Sequence, residues 1–413
     1  FEETSNKLKD VGDKLSKLSA TATAVGGASV AAFGESSNAL GKIKASLGQT
    51  AEEADKTLDA VQDLAKEGFN FDDALSVMIK VKQSMSDLLD DREINDFSSG
   101  ILAISAGIDQ DLNDVLKTAN SLMRNFGIDG EKSLDIIAGG LQQTGDLSGD
   151  LLDSLTEYSV QFDELGFTAD ETLAIINSGY KDGAFNTDKL ADGIKEFNIK
   201  MKEMGNDQKS VMTDLNLNIN EVQSSFTKGG DSAKAMTDVI VNELLKIEDE
   251  TTRYQMAVAL FGTMYEDLGD SILVGLSAIN DETMEVTGTT EQVRQAYEDT
   301  FGAQMNAKIQ QLKEPLTLLA QEGLLPILDV AGEMLTKFSE WFTSLDEGTI
   351  EAIAKMGMFT MVLSPVATKI GEVINTSATL FDWINKLGQS STTAAGSTGM
   401  LAQAMQFLAG PLG

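Results

Sequence analysis

Along most of the chain, apolar residues recur three and four positions apart, the spacing of a helix with one buried face. Alternating β-branched runs are scarce, and no proline precedes Pro315. Because proline removes a helix hydrogen bond and clashes with the preceding turn, its absence leaves helices free to run. The fold class this predicts is all-α: tandem helical hairpins forming a compact bundle, preceded by an N-terminal coiled-coil-like helix and followed by apolar helices.

Four segments follow from the pattern. In 1–49, Leu8, Val11, Leu15, Leu18, Ala22 and Val25 alternate spacings of three and four, a heptad seam that weakens at "GGASVAAFG". In 50–280, apolar-periodic stretches of helix length are joined by glycine-bearing turns, which predicts the hairpin core. The segment 281–348 opens on the polar linker "DETMEVTGTT" and continues as paired amphipathic helices, with Pro315 and Pro326 expected near helix starts, where a missing amide costs little. Finally, 349–413 reads as apolar helices ending in the Ser/Thr/Gly-rich linker "GQSSTTAAGSTG".

One short grammar repeats inside the core. Gly68, Gly127 and Gly166 are each followed by an apolar residue, then by Asn70, Asp129 or Thr168, and five residues later by Leu75, Leu134 or Leu173. Glycine ends a helix in the left-handed conformation, and Asn, Asp or Thr caps the amides of the next. Thr168 and Glu171 also have capping-box spacing. The intervals, 68 to 127 and 127 to 166, are unequal, so no fixed period and no regular solenoid is expected.

Composition narrows function mainly by exclusion. The 413 residues include 65 acidic and 31 basic ones, a formal charge of −34, which repels nucleic acid and anionic membrane and argues against sequence-specific nucleic-acid binding. Histidine and cysteine are both absent, which removes Ser-His-Asp and Cys-His nucleophiles, the usual zinc ligands and thiol redox chemistry. The redox compartment stays open. The chain begins at Phe1 and stops at "AGPLG", and a segment of a longer protein is expected. The most apolar run, Met356 to Thr368, is too short for the roughly 20 residues a spanning helix needs.

Candidate chemistry fails on inspection. Asp109, Asp111 and Asn113 match the first three ligand positions of a calcium loop, but Asp114 stands where glycine is needed and Asn120 where a bidentate Glu belongs. Asp109 to Asp114 therefore reads as a capped, acidic first turn. The pairs Asp72/Asp73 and Asp170/Glu171 also sit on first turns, where the helix dipole favours them. No catalytic, cofactor-binding or metal residue is expected, and no cofactor. An enzyme working through two carboxylates alone would need them across a cleft, which a sequence cannot display.

"MAVALFGTMYEDLGDSIL", Met256 to Leu273, resembles the Leu/Ile-Phe-Gly signature of the core region of phage tail tape-measure proteins, here Leu260, Phe261 and Gly262. Upstream, the stretch from "TGDLSGDLL" to "LADGIKEF" is similar to that family's run of helical hairpins. Downstream, Leu325, Pro326, Ile327 and Leu328, then Trp341 and Phe342, match its Leu-Pro-Ile-Leu and Trp-Phe helices. The resemblance implies a structural, non-enzymatic segment that sets tail length, scaffolds tail tube assembly and is ejected ahead of the DNA. Its implied partners are the tail tube protein, tail assembly chaperones and baseplate or tail-tip hub proteins, with homo-oligomers along the tail and host membrane contact on ejection. Its implied place is the interior of the tail in the virion, after synthesis in the host cytoplasm. A helical pore-forming or secreted effector is the alternative, with Met356 to Thr368 as its insertion element, although no second apolar arm accompanies it.

Overall fold

The computed structural model describes residues 32–146, 148–278, 284 and 286–319. Among these residues the chain forms seventeen helices and no strand. They are α1 (32–47), α2 (Ala51–Lys66), α3 (Phe71–Ser84), α4 (Asp91–Ile108), α5 (Leu112–Phe126) and α6 (Gly130–Thr144). Next come α7 (Leu151–Glu164), α8 (Ala169–Asp182), α9 (Thr187–Glu203), α10 (Asn206–Asp214), α11 (Ile219–Lys228) and α12 (Gly230–Leu245). The last are α13 (Glu250–Phe261), α14 (Thr263–Leu268), α15 (Ser271–Ser277), α16 (Thr289–Glu298) and α17 (Phe301–Leu319). The Leu8 to Val25 seam, Leu325 to Leu328, Trp341, Phe342 and the Met356 to Thr368 run lie outside the described residues.

The chain divides into two compact units, Ala60–Gln304 and the pair Phe1–Asp59 with Met305–Gly413. In the second, α1 buries Ala32, Ala39 and Ile43 along one face, and Lys313 Nζ donates to both carboxylate oxygens of Glu35 at 2.7 and 2.9 Å. Pro315, expected near a helix start, falls well inside α17. Lacking an amide, it leaves the carbonyl of Gln311 without its intrahelical partner, a defect worth about 3 kcal/mol in a helix interior.

The Ala60–Gln304 unit is built on three hairpins, α4–α5, α6–α7 and α8–α9. Helices α4, α6 and α8 pack side by side as one layer, and α5, α7 and α9 as the other. The expectation of no fixed period is corrected here. The caps Asp90, Asp129 and Thr168 open α4, α6 and α8 at even steps of 39 residues (90 to 129, 129 to 168). Side chains that meet between neighbouring hairpins repeat nearly the same step: Thr118 with Thr156, Ser121 with Ser159, Lys132 with Asp170 and Glu164 with Lys202 are each 38 residues apart. The copy at Asp90 escapes a sequence search because Leu88 stands where the other copies have glycine. The copy at Gly68–Asn70 lies off the period and opens α3 instead.

Burial follows from this stacking. In α6 every residue from Ser133 to Leu141 is buried, because the helix has neighbours all round: α4 and α8 in its layer, α5 and α7 beside it, and α16 on its remaining face. A helix so enclosed loses the apolar stripe that marks a surface helix. The 281–290 linker does not close the unit, since α16 returns to pack on α4 and α6. Beyond the third hairpin, α15 covers α8, and α11, α13 and α14 cover α9.

Candidate functional site

The repeated junctions are places where backbone conformation dictates residue type. Gly127 ends α5 at φ +65, donating its amide to Met123 O, and Asp129 then accepts from the Lys132 amide at 2.8 Å to start α6. Gly166 has φ +83, and a Cβ there would lie 2.3 Å from the carbonyl carbon of Gly230, so the site excludes any side chain twice over. Thr168 and Glu171 form a reciprocal capping box at 3.2 and 2.9 Å. Gly68 has φ +110, and its Cβ would meet the Ala303 carbonyl oxygen at 2.6 Å; Asn70 caps α3 through the amides of Asp72 and Asp73. Leu75, Leu134 and Leu173, the fifth residue of each helix, are all buried. Asp109 is placed differently from expectation: it ends α4 at φ +61, and Asp111 alone caps α5. Aspartate tolerates that conformation because its short side chain hydrogen-bonds locally.

The Leu260-Phe261-Gly262 turn joins α13 to α14 through one residue. Gly262 has φ +68 and ψ −154, a region essentially restricted to glycine. Gly229, between α11 and α12, shares it at φ +70 and ψ −166. The turn buries Leu260 and Phe261 completely. Phe261 stacks on Phe197 of α9 with ring centroids 4.7 Å apart, and Phe197 meets Phe226 of α11 edge-on at 5.4 Å. Tyr265, the third residue of α14, donates its hydroxyl to Asp270, which also receives Arg253 Nη2 at 2.9 Å. Burial, with the Asp270 hydrogen bond, pushes the Tyr265 phenol well above its usual range.

Sequence reading missed the long-range caps. Buried Asp135 of α6 accepts the amides of Gly288 at 2.7 Å and Thr290 at 2.9 Å, so it caps α16, whose own N-cap position is a glycine with no side chain. Asp150, at the start of α7, accepts from Thr187 and Asp188 at the start of α9. A hydroxyl and amide seam, Thr118, Ser121 and Asn125 against Thr156 and Ser159, lies between α5 and α7 with contacts from 2.6 to 3.0 Å. The seam's spacing along α5 was visible, but polar residues at helical spacing read equally as a solvated face.

Beside the α16 N-terminus lies a cleft of about 450 Å³, whose charged lining includes Glu93, Asp96, Asp129, Glu131, Glu291 and Arg294. Among the described residues no group of three or more His, Cys, Asp or Glu is placed to hold a metal ion, and no helix is long and apolar enough to cross a membrane. What the geometry displays is a scaffold of capped junctions and glycine corners.

Comparison with known proteins points the same way. Residues 59–262 match the family described as phage-related minor tail protein, a span that contains all three stacked hairpins and ends on Gly262. The chain is 28% identical over 191 residues to a "Probable tape measure protein" of Streptomyces phage phiC31, covering 44% of this chain and 25% of that protein. It thus spans about a quarter of the length of the curated relative it matches. No solved structure matches. Both matches fall on the helical core and support its kinship with the phage tail family.

Proposed function

We propose that this chain is the core region of a tape-measure protein, a structural and non-enzymatic component that sets tail length, scaffolds polymerisation of the tail tube and leaves ahead of the DNA. The observation that carries this reading is the coincidence of the family match with the hairpin stack: the matched span falls on packing elements, from within α2 to the Gly262 corner. The relative's name supports the length-setting part. Tail tube protein, assembly chaperones, hub proteins at the tail tip and further copies of the chain are the partners this role requires, and contact with the host membrane accompanies ejection. In this reading the flanks, 1–49 at one end of the chain and the residues after α16 at the other, supply coiled-coil and apolar helices.

An extended helix rises about 1.5 Å per residue, which makes it a linear gauge for tube subunits. A folded stack is not such a gauge. In-frame deletions in the coiled-coil stretches that 1–49 continues should shorten the tail in proportion to the residues removed, as read in electron micrographs. Deletions that cut through a hairpin of the core should instead abolish assembly or infectivity, since each hairpin covers its neighbour's apolar face. Tails of unchanged length in the first series would exclude the length-setting role.

A further inference from the structure

The segment 286–304 is attached to the hairpin stack through a helix start that relies on a distant side chain. Its helix α16 is ten residues long, and isolated helices of that length are marginal in water. Gly288 offers no side-chain cap, so its first amides depend on Asp135, 153 and 155 residues earlier in the chain. Its buried residues are few and small: Val286, Thr289, Thr290, Val293 and Ala303.

They sit in notches cut by glycines on the hairpin stack. A Cβ on Gly139 of α6 would come within 2.4 Å of Val286 Cγ1, and one on Gly107 of α4 within 2.9 Å of Val293 Cγ1. At the far end Tyr297 stacks on Phe69 at 5.1 Å with the rings 3° apart, and its hydroxyl donates to Gly68 O at 3.3 Å. Against these contacts stands the Thr290 hydroxyl, which is buried without a partner, a cost that docking does not recover.

We infer that residues 286–304 form a detachable strap across α4 and α6, latched by the Asp135 carboxylate, which opens while the hairpin stack stays folded. Helix α16 melts as it leaves, because its caps and its apolar cover both belong to the groove. What opening exposes is a furrow floored by Gly100, Gly107 and Gly139 with the Asp135 carboxylate in it. The inference rests on packing and holds whatever the chain does in the tail.

Native-state hydrogen exchange on the full chain tests it. In the parent, peptides from 289–298 should exchange at least tenfold faster than peptides from α7 and α9, because local opening is easier than global unfolding. Asp135→Asn, which replaces one accepting oxygen with a donor facing an amide, should speed exchange in 289–298 by a further tenfold or more and leave α7 and α9 unchanged. Gly139→Ala attacks the same contact from the notch, and Val286→Ala from the strap; both should act on the same peptides. Equal exchange of strap and stack in the parent, uniform acceleration across the unit in all three variants, or global unfolding of all three would overturn the inference.

Discussion

Asp150 accepts the hydroxyl of Thr187 at 2.8 Å and its amide at 3.3 Å, although Asp150 occupies the N-cap of α7 and Thr187 opens α9. The carboxylate has been lent to the next hairpin. In its place Asp146 accepts from the amides of Asp150 and Leu151 at 3.2 and 3.1 Å. At this junction the caps are shifted by one partner, and the shift ties the hairpin α6–α7 to the hairpin α8–α9.

Replacing Asp150 with Ala should destabilise the Ala60–Gln304 unit by about 1–2 kcal/mol, the range for losing an N-cap whose amides are left partly buried. Urea unfolding followed by circular dichroism measures it. Asp146→Ala should cost a similar amount through α7 alone, and a double variant that costs less than the sum would show that the two caps act on one junction.

The three signature glycines are not equivalent. Gly127→Ala should cost only the left-handed strain, about 1–2 kcal/mol, because nothing lies within 4 Å of the added carbon. Gly166→Ala should cost clearly more, since its methyl must displace the Gly230 backbone as well. Equal unfolding midpoints for the two variants would mean that the α12 N-terminus gives way freely.

Much of this was legible locally and little of it globally. The caps Asn70, Asp129 and Thr168 could be read because capping is a contact within three residues, and the glycine before each is dictated by its own φ. The even 39-residue step was hidden because Leu88 breaks the pattern and Gly68 supplies a copy that lies off the period. Asp135 and Asp150 look in sequence like solvated acids. Their roles depend on amides that only the fold brings near, 153 residues away for Asp135 and 37 for Asp150. The Leu260-Phe261-Gly262 motif was visible as letters, but the reason for its glycine, a ψ of −154, is not written in any neighbouring residue.

Stability should peak at mildly acidic pH. Hydrogen bonds from Lys202 hold Glu164 below the usual carboxylate range; at Asp150 and Glu171 burial opposes the charge, but bonds from Ser148 and Thr187, and from Lys234 and Thr168, outweigh it. A carboxylate with a lowered folded pKa contributes stability above its unfolded value, near 4, and loses it as pH falls through the folded one. Burial raises Glu67 and Asp163, so the folded state carries a penalty at neutral pH that acidification relieves, as it also relieves the repulsion of a chain at −34. The urea midpoint should therefore rise slightly from pH 7 to about 5 and fall below about 4. A steady fall from pH 7 downward would show that the paired carboxylates are not where the proton uptake occurs.

The Leu260-Phe261-Gly262 corner should fail as a unit. Phe261→Ala removes a fully buried ring that stacks on Phe197, and large-to-small changes of this kind cost about 3–5 kcal/mol. Gly262→Ala leaves the core composition intact but forces a side chain into a glycine-only conformation, costing about 1–3 kcal/mol. Relief of that strain requires the α13–α14 angle to change, which would pull Phe261 off Phe197. The aromatic stack and the corner are thus one device, and the double variant should cost less than the two single costs added together. Leu260→Ala is the control: it is equally buried but has no place in the ring stack, so it should add fully to Gly262→Ala. Strict additivity of Phe261→Ala with Gly262→Ala in urea unfolding would show that the glycine merely ends a helix and that the ring packs independently of it.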